Sequence, residues 1–311
     1  RDFPVLVQLD PGLIDYERAN ADGGDLRFYD PDGSPLAFEI ERWQPGMDSQ
    51  IWVRVPQIDG GSTDDHIVMQ YGNSDALGGQ DPAQTWAESY RGVWHLSDTL
   101  SDSTANGNDG SDGGATPVAG YIGLGRLFNC IDSYIDVGSD VSLDNLEQAT
   151  YTMWLRLDGS GRQVALSKNG NSREMWIQGT EPTMMRARSC VQYTGDDDAC
   201  PGSSNGAVQL GQWRLWTFTF DGAQDMGRLY LDGVFQSANA GVGRRLDDSD
   251  GDLNLGRRSE SQNHYLNGIL DEVRIAAEVR PEAWIRAQYL VMSNRFITYG
   301  PEDDIVCVPS S

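Results

Sequence analysis

Asp271 interrupts the apolar face of a strand-like segment near the end of the 311-residue chain. In residues 268–275, alternation places Ile269, Val273 and Ile275 on one face, and Asp271 lies among them. A carboxylate on such a face is unfavourable unless it is paired or holds a cation. The residues alone therefore leave two alternatives open: a cation bound by Asp271, or an arginine partner.

The four cysteines lack metal-binding spacing and favour disulfides instead. No CxxC pair or Cys/His cluster is present, so zinc is not indicated. Cys190 and Cys200 bracket a short polar segment between strand-like stretches, and a bridge there would contribute roughly 2.5–3 kcal/mol through loop closure. Cys130 and Cys307 would form the remaining bridge. Both bridges imply an oxidising compartment.

The charge of the chain argues against several classes of partner. Its formal net charge of −24 would repel the phosphates of nucleic acids and the surface of an anionic membrane. No apolar run is long enough to predict a membrane span. The first residues already form a strand pattern, so we expect any signal peptide to be absent from this chain. The predicted location is extracellular or at the cell surface.

The candidate residues must be positioned by β-strands, because short β-patterned runs recur between turn signals along the chain. The sequence predicts an all-β fold of two tandem antiparallel β-sandwiches. One helix is predicted over 281–293, with Pro281 at its start, and a last strand over 296–299. The predicted divisions are an N-terminal domain at 1–75, a linker at 76–89, a second sandwich at 90–300 and a tail at 301–311.

Two sets of motifs resemble known families. DFPVLVQLD, DLRFYDPDGSPLAFEIERW, QIWVRVPQI and IVMQYGNSDA resemble a bacterial domain of unknown function that occurs in surface proteins and in proteins linked to MotA/TolQ/ExbB proton channels. GVWHLSD, DSTANGNDG, SYIDVG, YTMWLRL, GQWRLWTFTFDG, LYLDG and GILDEVRI resemble the concanavalin A-like lectin/glucanase family, also called the laminin-G-like jelly roll. The second resemblance implies a jelly roll with one short C-terminal helix. Members of the first family usually begin with a further strand, so we expect the first sheet to lack one.

The second resemblance also implies a structural calcium ion near the ends of the jelly roll. Calcium is bound by several oxygens from carboxylates, amides and main-chain carbonyls. The predicted ligands are the side chains of Asp102 and Asp271, with Asn106 and carbonyls near His95 completing the shell. The alternative is that residues 102–110 form an Asx-rich turn and that Asp271 is paired with an arginine.

Sugar binding would use an aromatic face together with polar groups for the hydroxyls. The predicted ligand-binding residues are Trp176, Gln178, Arg186 and Arg188, which alternate outward on two adjacent strands. The alternative for Trp176 is a place in the core.

Catalysis is not indicated by the sequence. Hydrolases with this fold carry a Glu-x-Asp-x-x-Glu pattern, because their acid and nucleophile must flank one bond. That pattern is absent, and so is a nucleophile elbow. We therefore expect no enzymatic activity, and a glycoside hydrolase is the class that would contradict this expectation.

These observations predict a non-catalytic extracellular or cell-surface binding or adhesion protein. The expected partner is a glycan or another cell-surface polymer, with calcium fixing loops. The alternative is a structural subunit of a filament or surface assembly. In that case the chain would form a homopolymer in which one subunit adds a strand, such as residues 304–308, to the sheet edge of the next.

Overall fold

The computed structural model describes residues 2–62, 64–87, 89–169, 173–179, 181–192, 198–240, 251–259 and 261–303. The chain forms two compact units. The first contains the residues before Pro82 and those after Leu290, and the second is Pro82–Leu290. Strands dominate both units, and the described residues form two α-helices, α1 (Pro82–Thr85) and α2 (Glu282–Met292). The predicted all-β class with one short C-terminal helix is confirmed. Neither helix has the length and apolar character that crossing a membrane requires.

The first unit is built from two small antiparallel sheets. Its strands are β1 (Phe3–Leu9), β2 (Arg27–Tyr29), β3 (Pro35–Leu36), β4 (Phe38–Arg42), β5 (Ser49–Val55) and β6 (Val68–Gln70). One sheet has the order β1-β5-β4 and the other β3-β2-β6. The rings of Phe28 and Phe38 lie 5.1 Å apart and join the two sheets through their apolar faces.

Residues 291–303 belong to the first unit, whereas the sequence placed 291–300 in the second. The ring of Phe296 stacks on that of Phe3 at 6.0 Å. The hydroxyl of Tyr299 accepts a hydrogen bond from the Gln8 amide at 2.9 Å and donates to the Gln8 carbonyl at 2.5 Å. The predicted strand at 296–299 does not form, and the segment is held against β1 by these side-chain contacts instead of a strand ladder.

The predicted linker at 76–89 is also divided. Residues up to 81 lie in the first unit, where the Asp81 amide donates to the Phe38 carbonyl at 2.8 Å. Helix α1 follows at once in the second unit.

The second unit contains the remaining strands. These are β7 (Tyr90–Trp94), β8 (Ser111–Asp112), β9 (Thr116–Ala119), β10 (Leu124–Asn129), β11 (Ile135–Gly138), β12 (Gln148–Leu157), β13 (Gln163–Lys168), β14 (Arg173–Gln178), β15 (Arg186–Gln192), β16 (Asp198–Ala199), β17 (Trp213–Asp221), β18 (Met226–Leu231), β19 (Val234–Ala240), β20 (Leu253–Leu255) and β21 (Asn267–Ala276).

Two antiparallel sheets of these strands enclose one core. An eight-stranded sheet has the order β19-β18-β17-β12-β21-β10-β9, with β7 also paired to β21, and a seven-stranded sheet has the order β16-β15-β14-β13-β20-β11-β8. Alternation sends Trp216 and Phe218 of β17 into the core, where they join Met175 and Ile177 of β14. The opposite face of the seven-stranded sheet, called the outer face below, is left for polar side chains.

The prediction of which β21 residues share the core-facing side is wrong for the N-terminal half of the strand. Leu270 lies in the core together with Val273 and Ile275, so Asp271 lies on the other side of the strand. The cause is a β-bulge: the pairing with β12 shifts register after Asp271, and Glu272 has a φ of 54°. A bulge inserts one unpaired residue and reverses the alternation beyond it, which a period-two pattern does not reveal.

Candidate functional site

Strands β14 and β15 bring the four predicted ligand-binding residues together. In the antiparallel register Trp176 lies opposite Arg188, and Gln178 lies opposite Arg186. The intervening residues Ile177 and Ala187 point into the core. Directly opposed side chains on one face of a sheet contact each other, so the four predicted residues form one group on the outer face.

A cleft of about 330 Å³ opens at the Gln178 end of this group. The Arg186 guanidinium donates to Gln178 Oε1 through Nε at 3.1 Å and Nη2 at 2.7 Å, which fixes both polar side chains. The cleft is lined by Gln178, Gly179, Glu181, Met184, Arg186 and Asn205. It therefore offers amide, guanidinium and carboxylate groups beside one half-exposed thioether.

Gly179 allows the wall of this cleft to approach β14 closely. Its φ of +139° lies in a region that L residues rarely adopt, and a Cβ there would sit 2.7 Å from the Met184 carbonyl oxygen. A glycine is therefore required at this position by both the backbone conformation and the available space.

Trp176 occupies the other end of the group, and two arginines flank its ring. The guanidinium carbon of Arg162 lies 5.2 Å from the ring centroid, and that of Arg188 lies 5.5 Å from it. Both distances are within the range of cation–π attraction. Trp176 is half-buried on the outer face, so the alternative of a core position is not what the structure shows.

Glu174 completes the outer-face row of β14. Arg162 Nη2 donates to both of its carboxylate oxygens at 3.2 Å. Burial raises the pKa of Glu174, and the nearby charges of Arg162 and Arg258 oppose that rise. Burial also lowers the pKa of His264, and the same two arginines lower it further. The charges of Arg162 and Arg258 thus act on both Glu174 and His264.

The predicted disulfide between Cys190 and Cys200 is confirmed. It joins β15 to the segment that follows β16, and the Arg188 Nη2 donates to the Cys200 carbonyl at 3.2 Å. The bridge therefore lies beside the predicted binding residues. Cys130 is exposed. Its predicted partner Cys307 lies outside the described residues, so that pairing stays a prediction.

Asp102 and Asn106, two of the predicted calcium ligands, lie in one turn. Asp102 Oδ1 accepts from the amides of Val93 and Thr104, and Oδ2 accepts from the Thr104 hydroxyl and the Asn108 amide. Asn106 Nδ2 donates to Thr104 Oγ1 at 3.0 Å. Donor groups thus surround both carboxylate oxygens, whereas a calcium shell consists of oxygens. Asp102 stabilises this turn through protein contacts, and the calcium stays a prediction.

The other two predicted ligands have different neighbours. Asp271 Oδ2 accepts from the backbone amides of Tyr121 and Ile122 at 2.7 and 2.8 Å. His95 Nδ1 lies 2.6 Å from Glu272 Oε1, and Arg274 pairs with the second oxygen of Glu272. Burial would raise the pKa of Glu272, but His95 and Arg274 hold it at about 2. Glu272 was not predicted, because its place depends on the bulge.

A family model decides the classification of the chain. The model described as the concanavalin A-like lectin/glucanases superfamily matches residues 128–286, about half of the sequence. The chain belongs to this superfamily. A second model, described as a domain of unknown function (DUF2341), matches residues 22–109. The predicted order, a domain of unknown function followed by a concanavalin A-like domain, is confirmed. No match is found among curated proteins.

Solved structures with the concanavalin A-like fold include three toxin binding domains. That of botulinum neurotoxin serotype G has 11% identity and a TM-score of 0.54, covering 65% of this chain and 51% of that chain. That of Paraclostridial Mosquitocidal Protein 1 has 14% identity and a TM-score of 0.53, with coverage of 65% and 52%. That of botulinum neurotoxin DC, in complex with SialylT, has 10% identity and a TM-score of 0.51, with coverage of 66% and 52%. The chain spans about half of each, and the likeness shows the fold.

The concanavalin A-like domain of this chain carries site residues that the sequence did not reveal. Glu181, Met184 and Asn205 reach the cleft from connections outside the strands, and Arg162 reaches Trp176 from the residue before β13. Period-two alternation identifies outward residues within strands only. A glycine directly after a strand, as at Gly179, was the available signal for a close approach.

Proposed function

We propose that this chain is a non-catalytic binding protein of the cell exterior and that it binds carbohydrate in the cleft beside β14 and β15. The observation that carries the proposal is the pairing of Gln178 with Arg186 at the wall of that cleft. Polar groups fixed by neighbouring strands lose little freedom when a ligand binds, which favours affinity.

The chemistry of the lining suits a sugar. Each hydroxyl of a sugar both donates and accepts hydrogen bonds, and the cleft supplies donors from Arg186 and acceptors from Glu181, with amides at Gln178 and Asn205. The 48% exposed side chain of Met184 adds an apolar contact for C–H groups. A volume of about 330 Å³ lies at the lower end of the usual range for small-ligand sites.

Two further observations support this proposal. The disulfide between Cys190 and Cys200 fits an oxidising, extracellular environment. The toxin binding domain solved with SialylT places a glycan-type ligand on a protein of this fold. An adhesive role and an association with proton-channel proteins stay predictions.

A glycan array, followed by calorimetry on the best ligand, tests the proposal. We expect Gln178→Ala and Arg186→Ala to weaken binding by about tenfold each, because each removes a hydrogen-bonding partner from the cleft. Arg228→Ala, a substitution on β18 of the other sheet, is the matched control and should bind as the parent chain does. No binding to any glycan on the array, or an equal loss of affinity in all three variants, would refute carbohydrate binding in this cleft.

The second candidate is a structural subunit of an assembly, and the position of β1 favours it. This strand lies at the edge of its three-stranded sheet. Edge strands can pair with another chain, and pairing along β1 would have to displace the Tyr299 hydroxyl from Gln8. Residues 304–308, which the sequence suggested as the added strand, lie outside the described residues. Light scattering over a concentration series is the test, and a strict monomer at high concentration would exclude the assembly.

A further inference from the structure

Arg257 is a buried arginine on the outer face of the seven-stranded sheet. It follows β20, and it is 7% exposed. Its Nε donates to Asn254 Oδ1 at 2.6 Å, and its guanidinium carbon lies 3.4 Å from the centroid of the Tyr134 ring. In the part of the chain that the structure describes, these are its only side-chain polar contacts, and it belongs to no ion pair. Arginines are rarely buried to this extent without a paired charge.

Arg257 differs from the other described arginines that are less than a tenth exposed. Those that direct a terminal nitrogen at a carbonyl, hydroxyl or carboxylate oxygen of the protein are Arg126, Arg173, Arg274 and Arg280. Arg257 uses its Nε donor alone, and neither of its Nη nitrogens has an acceptor among the described residues. Those residues do not fully enclose either nitrogen. The Nη donors of Arg257 are therefore available to a ligand.

The stack on Tyr134 holds the guanidinium without using its donors. At 3.4 Å the planar group lies against the face of the ring, and its N–H groups lie in the guanidinium plane. The Nη donors therefore point past the ring and not into it. Gly113 allows the ring this position, because a Cβ there would lie 2.5 Å from Tyr134 Cε1. The half-buried Tyr134 also has a hydroxyl for which the described residues supply no partner.

The backbone on both sides of Arg257 is anchored. The Gly256 amide donates to the Ala165 carbonyl at 2.9 Å, and the Arg258 amide donates to the Asn263 carbonyl at 3.0 Å. Gly256 has a φ of +82°, and a Cβ there would lie 2.2 Å from Phe128 Cδ1, so glycine is required before the arginine. The guanidinium is thus presented from a fixed position, which keeps the entropy lost on ligand binding small.

Asn254 separates Arg257 from a carboxylate on the neighbouring strand. Asn254 is directly opposite Asp136 of β11, and its Nδ2 donates to Asp136 Oδ1 at 3.3 Å while its oxygen accepts from Arg257. The same Asp136 oxygen accepts from the Gly138 amide at 3.0 Å. Asp136 therefore does not pair with Arg257 directly. Because its negative charge lies on the same face, a ligand with one negative charge fits better than a ligand with two.

We propose that Arg257 and the Tyr134 hydroxyl form a second binding site, which takes the carboxylate group of a small molecule. The two Nη nitrogens match the two oxygens of a carboxylate, and the hydroxyl supplies a further donor. The site lies at β20 and β11, whereas the cleft lies at β14 and β15 with β13 between them in the sheet order. It is therefore independent of the proposed carbohydrate binding in the cleft.

Proton–nitrogen NMR tests this site, because chemical shifts detect weak binding. The probes are acetate, glucuronic acid, glucose as its neutral counterpart, and inorganic phosphate. The Nε–H signal of Arg257, assigned by its loss in Arg257→Lys, should shift saturably with acetate and glucuronic acid and should not shift with glucose. The affinity should fall at high salt. Similar affinities would identify the isolated carboxylate as the ligand, and at least about tenfold tighter binding of glucuronic acid would identify a carboxylate carried on a sugar.

Substitutions locate the effect at Arg257, with affinities measured from the backbone amide signals of residues 254–258. Arg257→Gln should weaken carboxylate binding at least about tenfold, because it removes both the charge and the paired donors. Tyr134→Phe keeps the ring under the guanidinium and should weaken binding about fivefold through the lost hydroxyl. Arg228→Gln, on β18 of the other sheet, makes the same change of charge and should bind as the parent chain does. Melting curves show that each variant is folded.

Four results would overturn the inference. They are the absence of a saturable shift with either carboxylate, an equal response to glucose, tighter binding of phosphate than of acetate, and an equal loss of affinity in Arg257→Gln and Arg228→Gln. The first two would show that Arg257 does not bind a carboxylate. The third would assign the site to a different anion, and the fourth would show that the attraction is non-specific. None of these results bears on glycan binding at Gln178 and Arg186, which the array tests separately.

Discussion

Replacing Gly179 by alanine should disturb the fold and the cleft together. Its φ of +139° makes any Cβ strained, which contributes about 1–3 kcal/mol of destabilisation. The added Cβ would also lie 2.7 Å from the Met184 carbonyl oxygen, and moving that backbone adds roughly 1–3 kcal/mol more. At about 2–4 °C per kcal/mol for a domain of this size, the melting temperature should fall by roughly 4–24 °C.

Gly161→Ala separates the two causes. Gly161 has a φ of +105°, yet nothing lies within 4 Å of a Cβ built on it. Its amide donates to the Gly179 carbonyl at 3.0 Å, so both glycines belong to the same part of the chain. Gly161→Ala should therefore show the strain alone, and Gly179→Ala should melt lower and lose ligand affinity in calorimetry. Equal melting temperatures, or a Gly179→Ala variant with full affinity, would refute the reasoning.

Three further predictions concern stability. Cys190→Ser with Cys200→Ser should destabilise the fold by about 2.7 kcal/mol, because the bridge closes a short loop, and denaturant unfolding measures this loss. Asp102→Asn should lower the melting temperature, because the amide nitrogen of asparagine would face backbone N–H donors that now bind the carboxylate, and the expected destabilisation is about 1–3 kcal/mol. Repeating the melt with calcium and with a chelator tests the predicted ion. A calcium-dependent shift that disappears in Asp102→Asn would support the ion. The pKa of Glu174 is raised above its ordinary 4.5, so its contribution to stability is present below that pH and is lost as the pH rises through the folded value. Glu174→Gln should therefore gain stability relative to the parent between pH 4.5 and 7, and a constant difference in unfolding free energy across that window would contradict the assignment.

The sequence predicted the parts of the site that lie on regular strands. Alternation along β14 and β15 was enough to place Trp176, Gln178, Arg186 and Arg188 on one face, because a straight strand keeps its period of two. The short polar segment between Cys190 and Cys200 was likewise enough to pair them.

The residues whose positions the sequence did not predict lie on irregular backbone. The bulge with Glu272 at a φ of 54° exchanged the faces of β21, so Asp271 was expected on the wrong side. Positive φ at a non-glycine residue is set by tertiary packing and leaves no mark in the hydrophobic pattern. The cleft also needs residues from connections that are distant in sequence, such as Asn205, and alternation says nothing about where those connections meet.

The disulfide beside β15 has a consequence for the maturation of the chain. The carbonyl that receives Arg188 belongs to Cys200, so its position depends on a covalent bond that forms only after thiols are oxidised. A newly made chain in a reducing compartment would hold this arginine less firmly. If the cleft binds carbohydrate as proposed, oxidation of the two thiols would also complete the ligand site.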